Sequence, residues 1–264
     1  MSMSGLSAAR DLAVRYAEVV TSLSADEWAA PSRCAGWSVQ DLVAHTGSNF
    51  AALIEPPPAD PAAPAPETAE QLQELLVARR RDWSAAQVAD EFLESMEGAL
   101  GALAAMQEGE AATAPITLTD LGTYEAHQLA DAFAFDLWCH MYVDLLAPEG
   151  PVQRPVGQHE HRLVRAAVDW MWAGLPQMCP KVASALTRPL GVQLAGPGEG
   201  EWTLAAADGR VSLTAGLDSA ETIVSSAATD FVLWGTGRSP WAEHVEISGD
   251  DDYAAAVLDL VDIV

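Results

Sequence analysis

Asp136 and His140 stand four apart in the stretch FDLWCH, residues 135–140. On a helix, positions four apart share a face. A carboxylate oxygen and an imidazole nitrogen would then point the same way, and both could reach one divalent ion. Two ligands fall short of a catalytic zinc site, which takes three protein ligands and keeps a position open. His45, in a separate helical stretch, is the natural third, because bundles build metal sites from side chains on facing helices. The proposed set is His45, Asp136 and His140, and the expected ion is divalent, most simply zinc. Asp144 lies on or near the same stripe. Cys139 competes as a ligand, since thiolate suits zinc, but it lies about 100° round the helix from His140, where a small core side chain is expected. The same spacing is also open to a plainer reading, a carboxylate–histidine contact in a packed interior. Of the remaining histidines, His127 reads as a surface or entrance residue, and His159, His161 and His244 as isolated surface positions. Trp37, Trp138 and Trp234 are expected to be core residues.

The elements that must carry these groups follow from periodicity. Leu6, Ala9, Leu12, Ala13, Tyr16, Val19 and Val20 have helical spacing over residues 6–23. SADEW begins a short turn at Ser24. Ser38 and Asp41 form an S-x-x-D capping box that starts the helix bearing His45 about two turns in. The proline-rich stretch at 55–67 ends that helix and reads as a surface loop. Residues 68–81 and 85–108 are expected to be helical, and a further helix, opened by Thr119 or Gly122, to run to about Leu146. APEGPVQRPVG, residues 147–157, is the expected domain boundary. Beyond it, helices are expected at 159–174 and 176–187. Short strands follow, with Asp208-Gly209 as a hairpin turn; then helical segments near 219–234 and 250–262, with HVEIS as a strand between them. This is an α plus α+β architecture: a helix bundle over residues 1–150, then a smaller α+β domain over 151–264.

Composition limits what such a chain does. It has 264 residues, half of them hydrophobic, so it can bury a substantial core. Thirty-eight acidic residues against 13 basic ones leave a formal charge of −25, and Lys181 is the lone lysine. That field repels phosphate backbones and anionic lipid, so neither nucleic acid nor a membrane is an expected partner. Cys34, Cys139 and Cys179 make no CxxC pair and no disulfide framework. With neither a signal peptide nor a membrane-length apolar run in the sequence, a cytoplasmic location is expected. GPGEGE is no phosphate loop, since it lacks Lys-Ser/Thr and carries two carboxylates.

GWSVQDLVAHTGSN, residues 36–49, resembles the first signature of the mycothiol-dependent maleylpyruvate isomerase family. Cys34, Gly36, Trp37, Ser38, Val39, Asp41, Leu42 and His45 match its pattern in order, and the resemblance implies that His45 binds metal. Asp136, His140 and Asp144 stand where the family has Glu-x-x-x-His followed by an aspartate. LWGTGR (233–238) and SGDDDYAAAV (248–257) resemble the blocks that close the family's C-terminal domain. The resemblance covers nearly the whole chain. It implies a DinB-like four-helix bundle followed by a small sterol-carrier-like α+β domain. Three departures mark a side branch. Asp136 replaces a glutamate, Asp144 follows His140 by four positions where three is commoner, and Thr236-Gly237 delays the arginine.

The family's reaction, as the resemblance implies, adds a low-molecular-weight thiol, mycothiol, to a cis double bond, and loss of the thiol after rotation leaves the trans isomer. Such chemistry needs a thiolate, which a metal generates by lowering the thiol's pKa. It also needs positive charge against substrate carboxylates; Arg238 is the residue expected to supply it. The expected partners are this thiol and a small, carboxylate-bearing substrate, in an isomerase or a transferase. Two further readings stay open on the same residues: a hydrolase in which water on the metal replaces the thiolate, and a non-catalytic metal or small-molecule binding protein. The oligomeric state is not legible in the sequence.

Overall fold

The computed structural model describes residues 1–56, 65–155, 157–217 and 219–263. The middle of the proline stretch, 57–64, lies outside them. The chain divides into two compact units, Met1–Gln158 and His159–Val264.

The first unit is a helix bundle. Its helices are α1 (Met3–Ser22), α2 (Ala25–Ala29), α3 (Val39–Ile54), α4 (Ala69–Ala78), α5 (Ala85–Ala105) and α6 (Leu129–Cys139). Helix α1 buries Leu6, Ala9, Leu12, Ala13, Tyr16 and Val20, the stripe its spacing predicts. Three of the helices begin on reciprocal capping boxes: Ser24 with Glu27, Ser38 with Asp41, and Ser84 with Gln87. Helix α3 packs on α5, and α1 on both α5 and α6. Gly47 lets α3 and α5 approach closely, since a Cβ there would sit 3.3 Å from Phe92 Cα. Ahead of α6 the chain forms a small antiparallel hairpin, β1 (Pro115–Thr117) with β2 (Thr123–Glu125), where the sequence predicts the start of a helix. Positive φ at Thr119 (47°) and Gly122 (117°) turns the chain there, and Leu118 N–H donates to Gly122 C=O. Helix α6 does not run on to Leu146 as an α-helix. Residues His140–Leu145 form a π turn, a wider winding that recurs at functional sites.

The second unit is α+β. Helices α7 (His161–Met178) and α8 (Val182–Ala185) lead into strands β3 (Leu190–Ala195), β4 (Gly200–Ala207), β5 (Arg210–Ala215) and β6 (Thr222–Ala227). Helix α9 (Ala228–Gly235), strand β7 (Glu246–Ser248) and helix α10 (Asp251–Leu258) follow. The sheet order is β5-β4-β3-β6-β7, with β3 and β6 parallel and the other pairs antiparallel. Asp208 and Gly209, both at positive φ (51° and 74°), make the β4–β5 turn. Two expectations give way here. Helix α7 is continuous through Pro176, which falls in its last turn and removes one hydrogen bond without ending the helix. TIVSSA, expected within a helix, is strand β6. Its β-branched residues pack well on a pleated surface, and β3 supplies a parallel partner along its whole length. An aromatic cluster fills this unit's core, with Trp172 stacked on Phe231 at 4.6 Å and Trp202 at 5.2 Å from Trp172. Among the described residues, no helix is long and apolar enough to cross a membrane.

Candidate metal centre

Three side chains of the bundle converge. His45 is carried by α3, Asp136 by α6, and His140 stands where α6 passes into the π turn. His45 Nε2 lies 3.2 Å from Asp136 Oδ1, and His140 Nε2 lies 3.4 Å from the same oxygen. One ligand atom from each residue falls within 4.8 Å of the others. Two imidazole nitrogens and a carboxylate oxygen are a donor set that suits zinc and related divalent ions.

The outer face of each ring is also engaged. His45 Nδ1 sits 3.0 Å from Gln73 Oε1 of α4, and His140 Nδ1 sits 2.8 Å from Asp144 Oδ2. An acceptor on Nδ1 holds the proton there and turns the Nε2 lone pair inward, as metal-binding histidines require. Asn49 Nδ2 lies 3.4 Å from His45 Nε2. The two imidazoles meet edge to face, with centroids 4.8 Å apart.

The electrostatics of the pocket favour a cation. Burial pushes the Asp136 carboxyl up, but His45 and His140 outweigh it and hold the group well below the usual carboxylate range. Burial pushes His140 down, but Asp136, then Asp144 and Cys34, raise it well above its ordinary value. A pocket that draws a proton onto a buried imidazole is one in which positive charge is stabilised, and the donor set therefore fits a divalent ion. The His45 and His140 side chains are 6% and 12% exposed, whereas Asp136 is 24% exposed, so the cluster opens to solvent on the carboxylate side.

His140 also belongs to a second group. Cys34 Sγ lies 3.8 Å from His140 Nδ1, and Cys34, His140 and Asp144 bring one ligand atom each within 4.8 Å of one another. Cys139, the competing thiol in the sequence, is buried and belongs to neither group. Trp37 is not the core residue expected. It lies half-exposed with its ring centroid 5.2 Å from that of His45, and its indole N–H donates to Glu74. His127 is partly exposed and pairs with Glu125 and Ser2. Arg238 is in the second unit, just past α9, where its backbone N–H donates to Leu233 C=O. The sequence reading missed Gln73, because nothing in a helix's own pattern says which of its polar residues will meet a histidine 28 positions away.

The sequence profile of the mycothiol maleylpyruvate isomerase N-terminal domain matches residues 9–145. Among solved structures, the mycothiol-dependent maleylpyruvate isomerase aligns with a TM-score of 0.59 at 18% identity, covering 92% of this chain and 91% of that one. A histidine-to-alanine mutant of the same enzyme aligns at 0.57 and 17% identity, with the same coverage. At such identities the likeness speaks for the fold. No curated protein matches the chain by sequence.

Proposed function

The chain belongs to the mycothiol maleylpyruvate isomerase family, and on that premise we propose that His45, Asp136 and His140 hold a divalent ion, zinc by ligand type, that serves a thiol-dependent isomerisation or transfer. The observation that carries this reading is the convergence of three ligand atoms within 4.8 Å while both outer imidazole nitrogens are held by other groups. The ion would supply a Lewis acid that lowers the pKa of a thiol.

The rest falls to the chain's own residues. Gln73 and Asp144 keep the imidazoles in the tautomer that faces inward. The half-buried Asp136 marks the side from which a small thiol, mycothiol in this reading, and its acceptor enter. In the isomerisation, the thiol adds to a cis double bond, the resulting single bond rotates, and the thiol leaves to give the trans isomer. Trp37 shields the His45 ring from bulk water on its own side. We further propose that the Arg238 guanidinium meets a substrate carboxylate, a reading that rests on guanidinium–carboxylate chemistry alone. Arg238→Ala then slows turnover of a carboxylate substrate far more than it lowers metal content.

The deciding experiment is an optical titration of the cobalt-substituted protein with mycothiol. A new thiolate-to-metal absorption band supports the reading. No spectral change at millimolar thiol, in folded and cobalt-loaded protein, removes the thiol from the mechanism.

A further inference from the structure

Within the His159–Val264 unit a different set of side chains comes together. His244, an isolated surface residue by sequence, has Nε2 at 2.7 Å from Ser239 Oγ and Nδ1 at 3.4 Å from Asp230 Oδ2. The two ring nitrogens are thus divided, with the hydroxyl on Nε2 and the carboxylate on Nδ1. This is the division of labour by which a histidine links a serine nucleophile to an orienting aspartate.

Three different elements supply the members. Asp230 lies in the first turn of α9, Ser239 in the loop after that helix, and His244 directly after a short 3₁₀ turn at Trp241–Glu243. The histidine's backbone is itself held: Ser226 Oγ donates to His244 C=O at 2.9 Å, and the buried Trp234 indole N–H donates to Ser226 Oγ at 3.2 Å. Gly237, at φ 65°, turns the chain into the loop, and Pro240 restrains it on the other side of Ser239. The backbone N–H of Ser239 donates to no group among the described residues. It is the donor that an oxyanion forming on an acylated Ser239 would meet. Ser239 is half-buried between exposed Gly237 and exposed Pro240, and the His244 side chain is 20% exposed.

We propose that Ser239, His244 and Asp230 form a nucleophilic triad for acyl transfer from small, unhindered carboxylic esters, an activity independent of the metal centre. Ser239 Oγ would attack the ester carbonyl while His244 Nε2 takes the hydroxyl proton. The carbonyl–alkoxy bond then breaks, and the leaving alcohol carries that proton away. In the second half, water attacks the acyl-serine, His244 takes a proton from it, and the acid departs as the proton returns to Ser239 Oγ. Ester and water go in, acid and alcohol come out, and no other reactant is consumed. Asp230 touches none of the reacting atoms. It is a positioning residue that holds the imidazole and its tautomer.

The test uses the full chain, a fluorophosphonate ester that marks activated serines with loss of fluoride, and 4-nitrophenyl acetate. The expected result is one adduct per chain on the peptide containing Ser239, mapped by mass spectrometry. Nitrophenolate release should fall about a hundredfold or more in Ser239→Ala and His244→Ala. In Asp230→Asn, kcat should fall with little change in KM, as expected when only the imidazole's orientation is lost. Two outcomes overturn the proposal. One is an adduct confined to other serines of the wild-type chain, a result that stands even if a variant fails to fold. The other is ester turnover that persists in folded Ser239→Ala and disappears with a chelator, which assigns it to the metal centre and leaves the three residues as a network that pins the loop.

Discussion

Asp144 and His140 are joined through a π turn: the Asp144 carboxylate accepts from His140 Nδ1 at 2.8 Å, four residues along the chain. The opposite nitrogen of the same ring faces Asp136. One imidazole is therefore clamped between two carboxylates, one 24% exposed and one only 1% exposed. The buried member cannot gain hydration by turning outward, so its interaction energy goes into holding the ring.

The purified protein is expected to carry about one divalent ion per chain. His140→Ala should lose it, and Cys139→Ala should keep it, because Cys139 is buried outside both ligand groups. Elemental analysis of the three proteins decides, and equal metal in wild type and His140→Ala would remove the assignment.

Asp144→Leu keeps roughly the volume and shape of the side chain but removes the acceptor behind His140 Nδ1. Metal affinity should fall by roughly tenfold to a hundredfold, the usual cost of losing the partner behind a ligating histidine. Competition with a chromophoric chelator measures it. Unchanged affinity would mean that the ring is positioned by packing alone.

Gly150 is buried and donates its N–H to Leu146 C=O at 2.7 Å. A Cβ built there would overlap the carbonyl of Leu145, the last residue of the π turn. Backbone cannot step aside as a side-chain tip can, so Gly150→Ala should cost about 1–3 kcal/mol of stability. Denaturant titration checks this, and an unchanged midpoint would show that the loop after the π turn can shift freely.

Glu27 accepts from Arg154 at 2.7 Å and from the Ser24 backbone at 2.8 Å, and these bonds, Arg154 first, lower its carboxyl from 4.5 to about 2. A carboxyl depressed in the folded state adds stability that is present above its unfolded value and fades as pH falls toward the folded one. Glu27→Gln should therefore be less stable than wild type at pH 7, with the gap narrowing once the pH drops below 4.5. Urea titrations at neutral and acid pH read the gap directly. A gap of constant size would assign the effect to the lost capping geometry instead.

What the sequence made legible was local. The relation of Asp136 to His140 follows from helical pitch, and the start of α3 follows from Ser38 and Asp41, because each depends on only a few adjacent residues. His45 could be paired with them because a bundle needs a facing helix. Gln73, by contrast, reaches His45 from α4 across the chain segment that contains the proline stretch, and no periodicity encodes that meeting. The π turn was hidden for a different reason: HMYVDL carries an ordinary helical pattern, and the widening arises from how its backbone bonds close. TIVSSA misled because alternation over six residues is short enough to be read within a helix, and only the presence of β3 beside it decides the matter. Ser239, His244 and Asp230 lie within fifteen positions of one another, yet an irregular loop sets their geometry, and loops have no period to read.

The indole of Trp37, lying beside His45, has an optical consequence. Its excited state loses energy readily to a protonated imidazole or to an open-shell ion at close range. With its ring centroid 5.2 Å from that of His45, Trp37 is seated where its emission should change when cobalt or copper enters. A difference spectrum between wild type and Trp37→Phe would subtract the other tryptophans and leave the signal of this one. The protein thus carries its own lamp beside the cluster, and filling or emptying of the centre could be followed in real time without a label.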